Sequence, residues 1–409
     1  MGLISAGSPP RRAATRPRTG VLPRLLVPLG ALTLLFSPFA ASVQALGSTC
    51  QGVRVKPADP LQRIISKHGP STTFCFEAGT YVLSAPLRPK TDQRFVAIQR
   101  RSAVLTGQDV RGTFAFDGAG TSGVEIRGFV IRRFHPPDQG GYAAVKASRG
   151  WRIVDNRIGP NKNSGVYHEA RTIVRGNRIQ GNTVAGIGGF RAHHSIIANN
   201  VIAYNGKSRA LYRASGGKWT RTIGIVIQGN RFHHNWDGGL WLDIDNVDAL
   251  VENNVVSANF GKGIRFEISC SGVIRRNVVV DNQGVGIIVV ASRGLVVSRN
   301  RVSRNGDAIH VSHQDRSDQN VATDNCRWVT GKVRIRSNRI SMARGSTGLW
   351  LWQVNDGDAI FSDGRVKFLS NTYRILGDVE EPFLWAHEPR TWSEWKAYGQ
   401  DGTGSLQTL

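Results

Sequence analysis

Through the middle of the chain, apolar residues recur at every second position in short runs broken by turn residues, as in strands with one buried face. Leu240, Leu242 and Ile244 alternate with Trp241, Asp243 and Asp245; one similar run later, Ile264, Phe266 and Ile268 alternate with Arg265, Glu267 and Ser269. The alternation predicts that each apolar trio points into a core and each intervening trio points out of the same sheet face. The runs belong to a longer repeat. Aligned on asparagine, Asn156, Asn177, Asn200, Asn230, Asn254, Asn277, Asn300 and Asn338 follow one another at steps of 21, 23, 30, 24, 23, 23 and 38 residues. A second asparagine follows five residues later in six consecutive repeats: Asn182, Asn205, Asn235, Asn259, Asn282 and Asn305. A period near 23, with three short strands per turn and stacked turn residues, predicts an all-β chain, a right-handed parallel β-helix. Asparagine suits the turns because it hydrogen-bonds turn backbone and tolerates left-handed dihedrals.

The two long steps place insertions near Gly206–Gly217 and His313–Thr330, on either side of the Trp241–Glu267 coils. Loops extruded from a regular solenoid commonly wall a groove. Residues 46–120 are expected to form a cap over the exposed strand edges together with the first coils, 121–375 the parallel β-helix, and 376–409 a second cap. In the second cap, Thr391 and Glu394 have capping-box spacing before a short helix, and Phe383, Trp385, Trp392 and Trp395 suit an aromatic plug.

Composition adds three points. Residues 1–45 join a basic leader (Arg11, Arg12, Arg16, Arg18, Arg24) to the apolar Leu25–Ala41 and to Val43-Gln44-Ala45, the pattern of an export signal and a secreted protein. As a membrane anchor the apolar stretch is short and broken by Pro28 and Pro38. The net charge of +24 favours an anionic partner such as an acidic polysaccharide, although arginines recurring in turns also describe a merely solvated face. Four cysteines in an exported chain suit two disulfides. Cys50–Cys75 is the expected one, while Cys270 and Cys326 are open between pairing and remaining free. Neither a C-x-x-C nor an H-E-x-x-H spacing is present, so a zinc site is not indicated.

The candidate chemistry sits on the outward trios. In a repeat structure Asp243 and Glu267 lie one rung apart, about 4.8 Å. Like charges that close are unfavourable unless used or neutralised. Lys218, Trp241, Asp245, Arg265 and, two rungs on, His310 share the face, with Lys218 uncertain in register by one residue. Such a groove suits an extended glycan, with Trp241 as a sugar platform. Paired carboxylates are what glycoside hydrolysis requires, one protonated and one ionised, with Asp243, Glu267 and Asp245 as the catalytic candidates. The alternative is β-elimination on a uronic-acid polymer. In it Asp243, Asp245 and Glu267 hold Ca²⁺ or neutralise the substrate carboxylate, and Lys218, Arg265 or His310 removes the C5 proton. A non-catalytic glycan-binding surface, and plain local ion pairing of the acids, are the remaining readings. No nucleic-acid partner is expected.

The segments G-G-L-W-L-D-I-D-N, G-I-R-F-E-I-S and G-G-K-W, with F-x-A-G-T-Y near the start and W-S-E-W-K-A-Y-G-Q-D near the end, resemble a group of exported actinobacterial right-handed parallel β-helix repeat proteins. These fall in the pectate-lyase-like superfamily, which spans polysaccharide lyases, glycoside hydrolases, epimerases and phage tailspikes. The resemblance implies the fold and marks Lys218, Trp241, Asp243, Asp245, Asn246 and Glu267 as motif positions, with Asn246 among the substrate-binding set. The chain departs from the group at Arg265-Phe266, where Phe followed by His or Tyr is expected. It also lacks on this face the Arg-x-x-Lys-type signature of classical pectate lyases.

Overall fold

The computed structural model describes residues 50–206, 215–317, 326–351, 357–377 and 379–408. The leader assigned to residues 1–45 lies outside the described residues, as do the middles of both insertions. Among the described residues, no helix is long and apolar enough to cross a membrane.

The chain winds through three sheets of 13, 13 and 12 strands, in which neighbouring strands are one coil apart in sequence, save for the antiparallel pair Phe383–Trp385 and Glu388–Arg390 that ends the third. One coil runs Val247–Glu252 in the first sheet, Val255–Ser257 in the second and Lys262–Glu267 in the third, before Cys270–Arg275 re-enters the first. Its inward residues Val251, Val256, Ile264 and Phe266 are fully buried. Identical inward positions on successive rungs stack into one continuous apolar core.

The repeated asparagines hold the corners. Asn254 Oδ1 accepts the backbone N–H of Asn230 at 2.9 Å and its side-chain amide at 3.0 Å. Its own Nδ2 donates to the Ile227 carbonyl at 2.8 Å and to Asn277 Oδ1 at 3.0 Å. The ladder runs unbroken from Asn156 through Asn371, where Asp401 supplies the last acceptor. The second ladder begins at Asn161. The ladder asparagines are not themselves the left-handed residues. That conformation falls on the residue before each, Asp155, Asn199, Asn253, Arg276 and Arg299 having φ of 54 to 58°. Hydrogen bonding and the left-handed turn thus fall on adjacent residues.

Strands of the first coils precede residue 121. The first and second sheets begin at Val53 and Gly79, and only the third waits until Phe116. An unanticipated helix, Leu61–Lys67, packs Leu61 and Ile65 onto this first stretch of core. Cys50 and Cys75 are bonded. At the other end the capping box is present and opens the helix Trp392–Ala397. Trp395 is fully buried and stacks on Phe383 with ring centroids 4.9 Å apart. The aromatic plug is thus in place, and Ser405–Thr408 adds the final strand of the second sheet.

Candidate functional site

The third sheet carries the site. Strand pairing sets Gly188, Lys218, Trp241, Arg265, Ile288 and His310 in one outward column. The neighbouring outward column contains Thr220, Asp243, Glu267, Val290 and Ser312. Between the columns, Trp219, Leu242, Phe266 and Val289 point inward and are fully buried. Lys218 is therefore in register with Trp241, and Asp243 stands directly beside Glu267, one rung away.

The acids do not face one another unpaired. Lys218 Nζ lies 2.7 Å from Asp243 Oδ2. Arg265 Nη2 lies 2.5 Å from Glu267 Oε2, and Arg316 Nη1 donates to Glu267 Oε1 at 3.3 Å. Burial raises the proton affinity of Asp243 above its ordinary value; Lys218 pulls it back, and Glu267 pushes it up again. Desolvation is the main cause of the Asp243 shift, and the neighbouring carboxylate a lesser one.

Trp241 differs from its expected role as an open sugar platform. Lys218 Nζ sits 3.5 Å from its ring centroid and the Arg265 guanidinium 4.3 Å from it. Cations on the rungs before and after occupy the faces on which a sugar ring would stack.

Four further expectations are corrected. The third-sheet strand ends at Asp243, and Ile244 and Asp245 take left-handed φ of 56° and 53°. Asp245 consequently leaves the sheet face, is buried, and accepts the Trp328 indole N–H at 2.7 Å. Ile244 and Ile268, predicted to point into the main core, pack instead in a separate apolar cluster with Cys270, Cys326 and Trp328. Asn246 is sealed in the wall. Its Nδ2 donates to the carbonyls of Trp219 and Asp243 and to Ser269 Oγ, and its Oδ1 accepts from Thr222, so it forms a third corner ladder and contacts no groove. His310 is on the right column but 2% exposed, with Nε2 against the Ser346 carbonyl and hydroxyl and its ring edge-on to Trp350. Burial lowers its pKa.

Nor do Asp243, Asp245 and Glu267 converge on a shared point where calcium could bind. Each is engaged by a different donor, and among the described residues no three acids, histidines or cysteines are grouped to hold a metal. The donor set does not fit the ion.

The sequence missed two elements. Arg316 reaches Glu267 from the second insertion, a contact with no local signal. A cleft of about 570 Å³ adjoins Lys218 on the upstream rungs, lined by Tyr142, Tyr167, Gly188, Phe190 and Thr220. Tyr167 and Gly188 share Lys218's column two coils and one coil before it, where the outward parity that singled out Trp241 could have found them.

The Trp328–Asp245 bond offers a direct check. Trp328→Phe keeps the ring in the cluster but leaves a buried carboxylate without its donor. A loss of about 1.5–3 kcal/mol in urea unfolding is expected, the range for a hydrogen bond to a charged group. A loss below about 0.5 kcal/mol, within surface-substitution scatter, argues against the contact.

A family model described as a right handed beta helix region matches residues 141–302. With the three parallel sheets it decides the fold type. The protein is a right-handed parallel β-helix. The A-module of mannuronan C-5 epimerase AlgE6 from Azotobacter vinelandii superposes with a TM-score of 0.50 at 13% identity, over 85% of this β-helix and 92% of that chain. A PL6 alginate lyase in complex with a trisaccharide superposes with a TM-score of 0.54 at 12% identity, over 87% and 85%. At such identities the likeness is one of fold. In sequence, 94 residues are 28% identical to F-box only protein 10 of Mus musculus, 23% of this chain and 9% of that protein's length.

Proposed function

We propose that the protein acts on an extracellular acidic polysaccharide laid along the third sheet, with Lys218 as the base that removes the C5 proton of a uronic-acid residue. The observation that carries this reading is the placement of Lys218. It lines the open cleft while bonded at 2.7 Å to Asp243, a carboxyl whose proton affinity burial has raised. A lysine is a base only when neutral, and Asp243, 2.7 Å away, is the neighbouring group to which its proton would pass. With the C5 proton on the Lys218 amine, the electron pair left at C5 forms the C4–C5 double bond as the C4–O bond breaks. The departing oxygen then takes a proton from the Lys218–Asp243 pair. Return of a proton to the opposite face of C5, without C4–O cleavage, would be epimerisation. The strongly basic chain favours a uronate polymer. A mannuronan epimerase module and an alginate lyase among structures of the same fold are in keeping with it. The leader at residues 1–45 adds export to the reading.

Glycoside hydrolysis is the second reading. It draws on Asp243, whose raised pKa suits a general acid, standing one rung from Glu267. Against it, the Glu267 side chain is 5% exposed behind Arg265 and Arg316, a poor position for a nucleophile. Incubation with a panel of neutral and uronic-acid polymers separates the readings. New reducing ends with the ultraviolet absorbance of an unsaturated uronate are expected. Reducing ends without that absorbance identify a hydrolase, and retention without products identifies a binding module; either overturns the elimination proposal.

A further inference from the structure

We infer that the base of the second insertion closes the groove on the C-terminal side of the Asp243–Glu267 rungs, so that a glycan is engaged by its chain end. The inference rests on the reading of this face as a polysaccharide site and adds how the substrate enters. Ile288 and Val290 occupy the outward columns one rung beyond Arg265 and Glu267. In an open groove both would face water. Instead they are 3% and 4% exposed, packed in the apolar cluster with Ile268, Cys326 and Trp328. One rung further, His310 and Ser312 are buried as well.

The cover is tied down at several independent points. Cys326 is bonded to Cys270, three residues past Glu267. Trp328 donates to Asp245, and Arg316 to Glu267. Asp315 pairs with Val329 in an antiparallel bridge, and the Arg316 backbone N–H donates to the Trp328 carbonyl at 2.8 Å. Apolar groups on the sheet beneath and ties on both sides make this a fixed wall. Upstream the same outward columns are open, with Gly188 and Thr220 lining the cleft beside Lys218. A chain seated at Lys218 can extend over Gly188 and Tyr167 but not over Ile288. Asp138–Tyr142 line the same cleft. An apolar wall at the end of a polar groove recognises a terminus by excluding the next sugar.

Two measurements on the full chain test this. With a uronate polymer that is cleaved, small products are expected from the first minutes while the viscosity of the remaining polymer barely changes. A rapid fall in viscosity before small products accumulate overturns the inference and leaves the polysaccharide reading standing. Independently of turnover, Lys218→Met protein titrated with size-defined uronate oligomers and with polymer is expected to bind the same number of proteins per chain at every length. A number that rises with chain length overturns the inference. Opening the wall with Trp328→Ala in a Cys270→Ser/Cys326→Ser background is expected to shift the products from small to mixed lengths, provided the variant keeps the wild-type circular dichroism. Neither binding nor cleavage of any glycan in the panel overturns the reading on which the inference rests, and the inference with it.

Discussion

Lys218→Met is expected to lower turnover on the cleaved polymer by roughly 10²–10⁴-fold, the range a positioned general base contributes. Methionine keeps the length of the side chain and its packing over Trp241 while removing the amine, so KM should change far less than kcat. The substitution also makes a pH prediction. Burial already lifts the Asp243 pKa above its ordinary 3.8, and Lys218 is the chief force lowering it again. Without Lys218 the pKa rises further. A carboxyl whose folded-state pKa is raised favours the fold fully below its unfolded value, and this contribution is lost as pH rises through the folded value. The Tm deficit of Lys218→Met against wild type should therefore be small near 3.8 and widen toward neutrality, with Asp243→Asn in the same chain removing the pH dependence. Full activity in Lys218→Met, together with loss of activity in Glu267→Gln, transfers the chemistry to the acid pair and to hydrolysis. A pH-independent deficit removes Asp243 as the group that takes up the proton.

Asn254→Ala is expected to cost about 3–5 kcal/mol in stability, from several buried groups left unpaired at about 1–3 kcal/mol each. The substitution strips the acceptor from the Asn230 backbone N–H and side-chain amide, and the donor from the Ile227 carbonyl. Water cannot replace them, because Asn230 and Asn254 are almost fully buried. Asn254→Asp should be worse at neutral pH, since it keeps the acceptor but turns an oxygen toward the Ile227 carbonyl and Asn277 Oδ1. Urea unfolding at constant m-value measures both. A loss under about 1 kcal/mol would show that neighbouring rungs relax around the gap and that the ladder is not a principal support.

These two predictions sit at opposite ends of what could be read without coordinates. The ladder was legible because a solenoid converts sequence period into spatial stacking, so Asn254 and Asn277 are neighbours by arithmetic. The Asp243–Glu267 and Lys218–Trp241 pairs were legible for the same reason, since strand parity and a counted period fix which side chains share a face. Legibility stopped where the strand stopped. Asp245 and Ile244 continue the alternation in the sequence, but two left-handed residues after Asp243 turn both away from their predicted sides. Asn246, a motif position by resemblance, serves the third corner instead, where Asn246 and Ser269 bridge successive rungs.

The sequence by itself determined the coil, its ladders, the end plug and the one-rung spacing of the acids, because these depend on local dihedrals and on a period written into the chain. Only the tertiary structure decided what the acids meet. Arg316 comes to Glu267 from an insertion 49 residues away, Trp328 comes to Asp245 from 83 residues away, and the Cys270–Cys326 bond holds that insertion over Ile288 and Val290. Insertions break the period, and with it the arithmetic that places side chains. Their contacts follow from packing and cross-linking in three dimensions, which no spacing along the chain encodes.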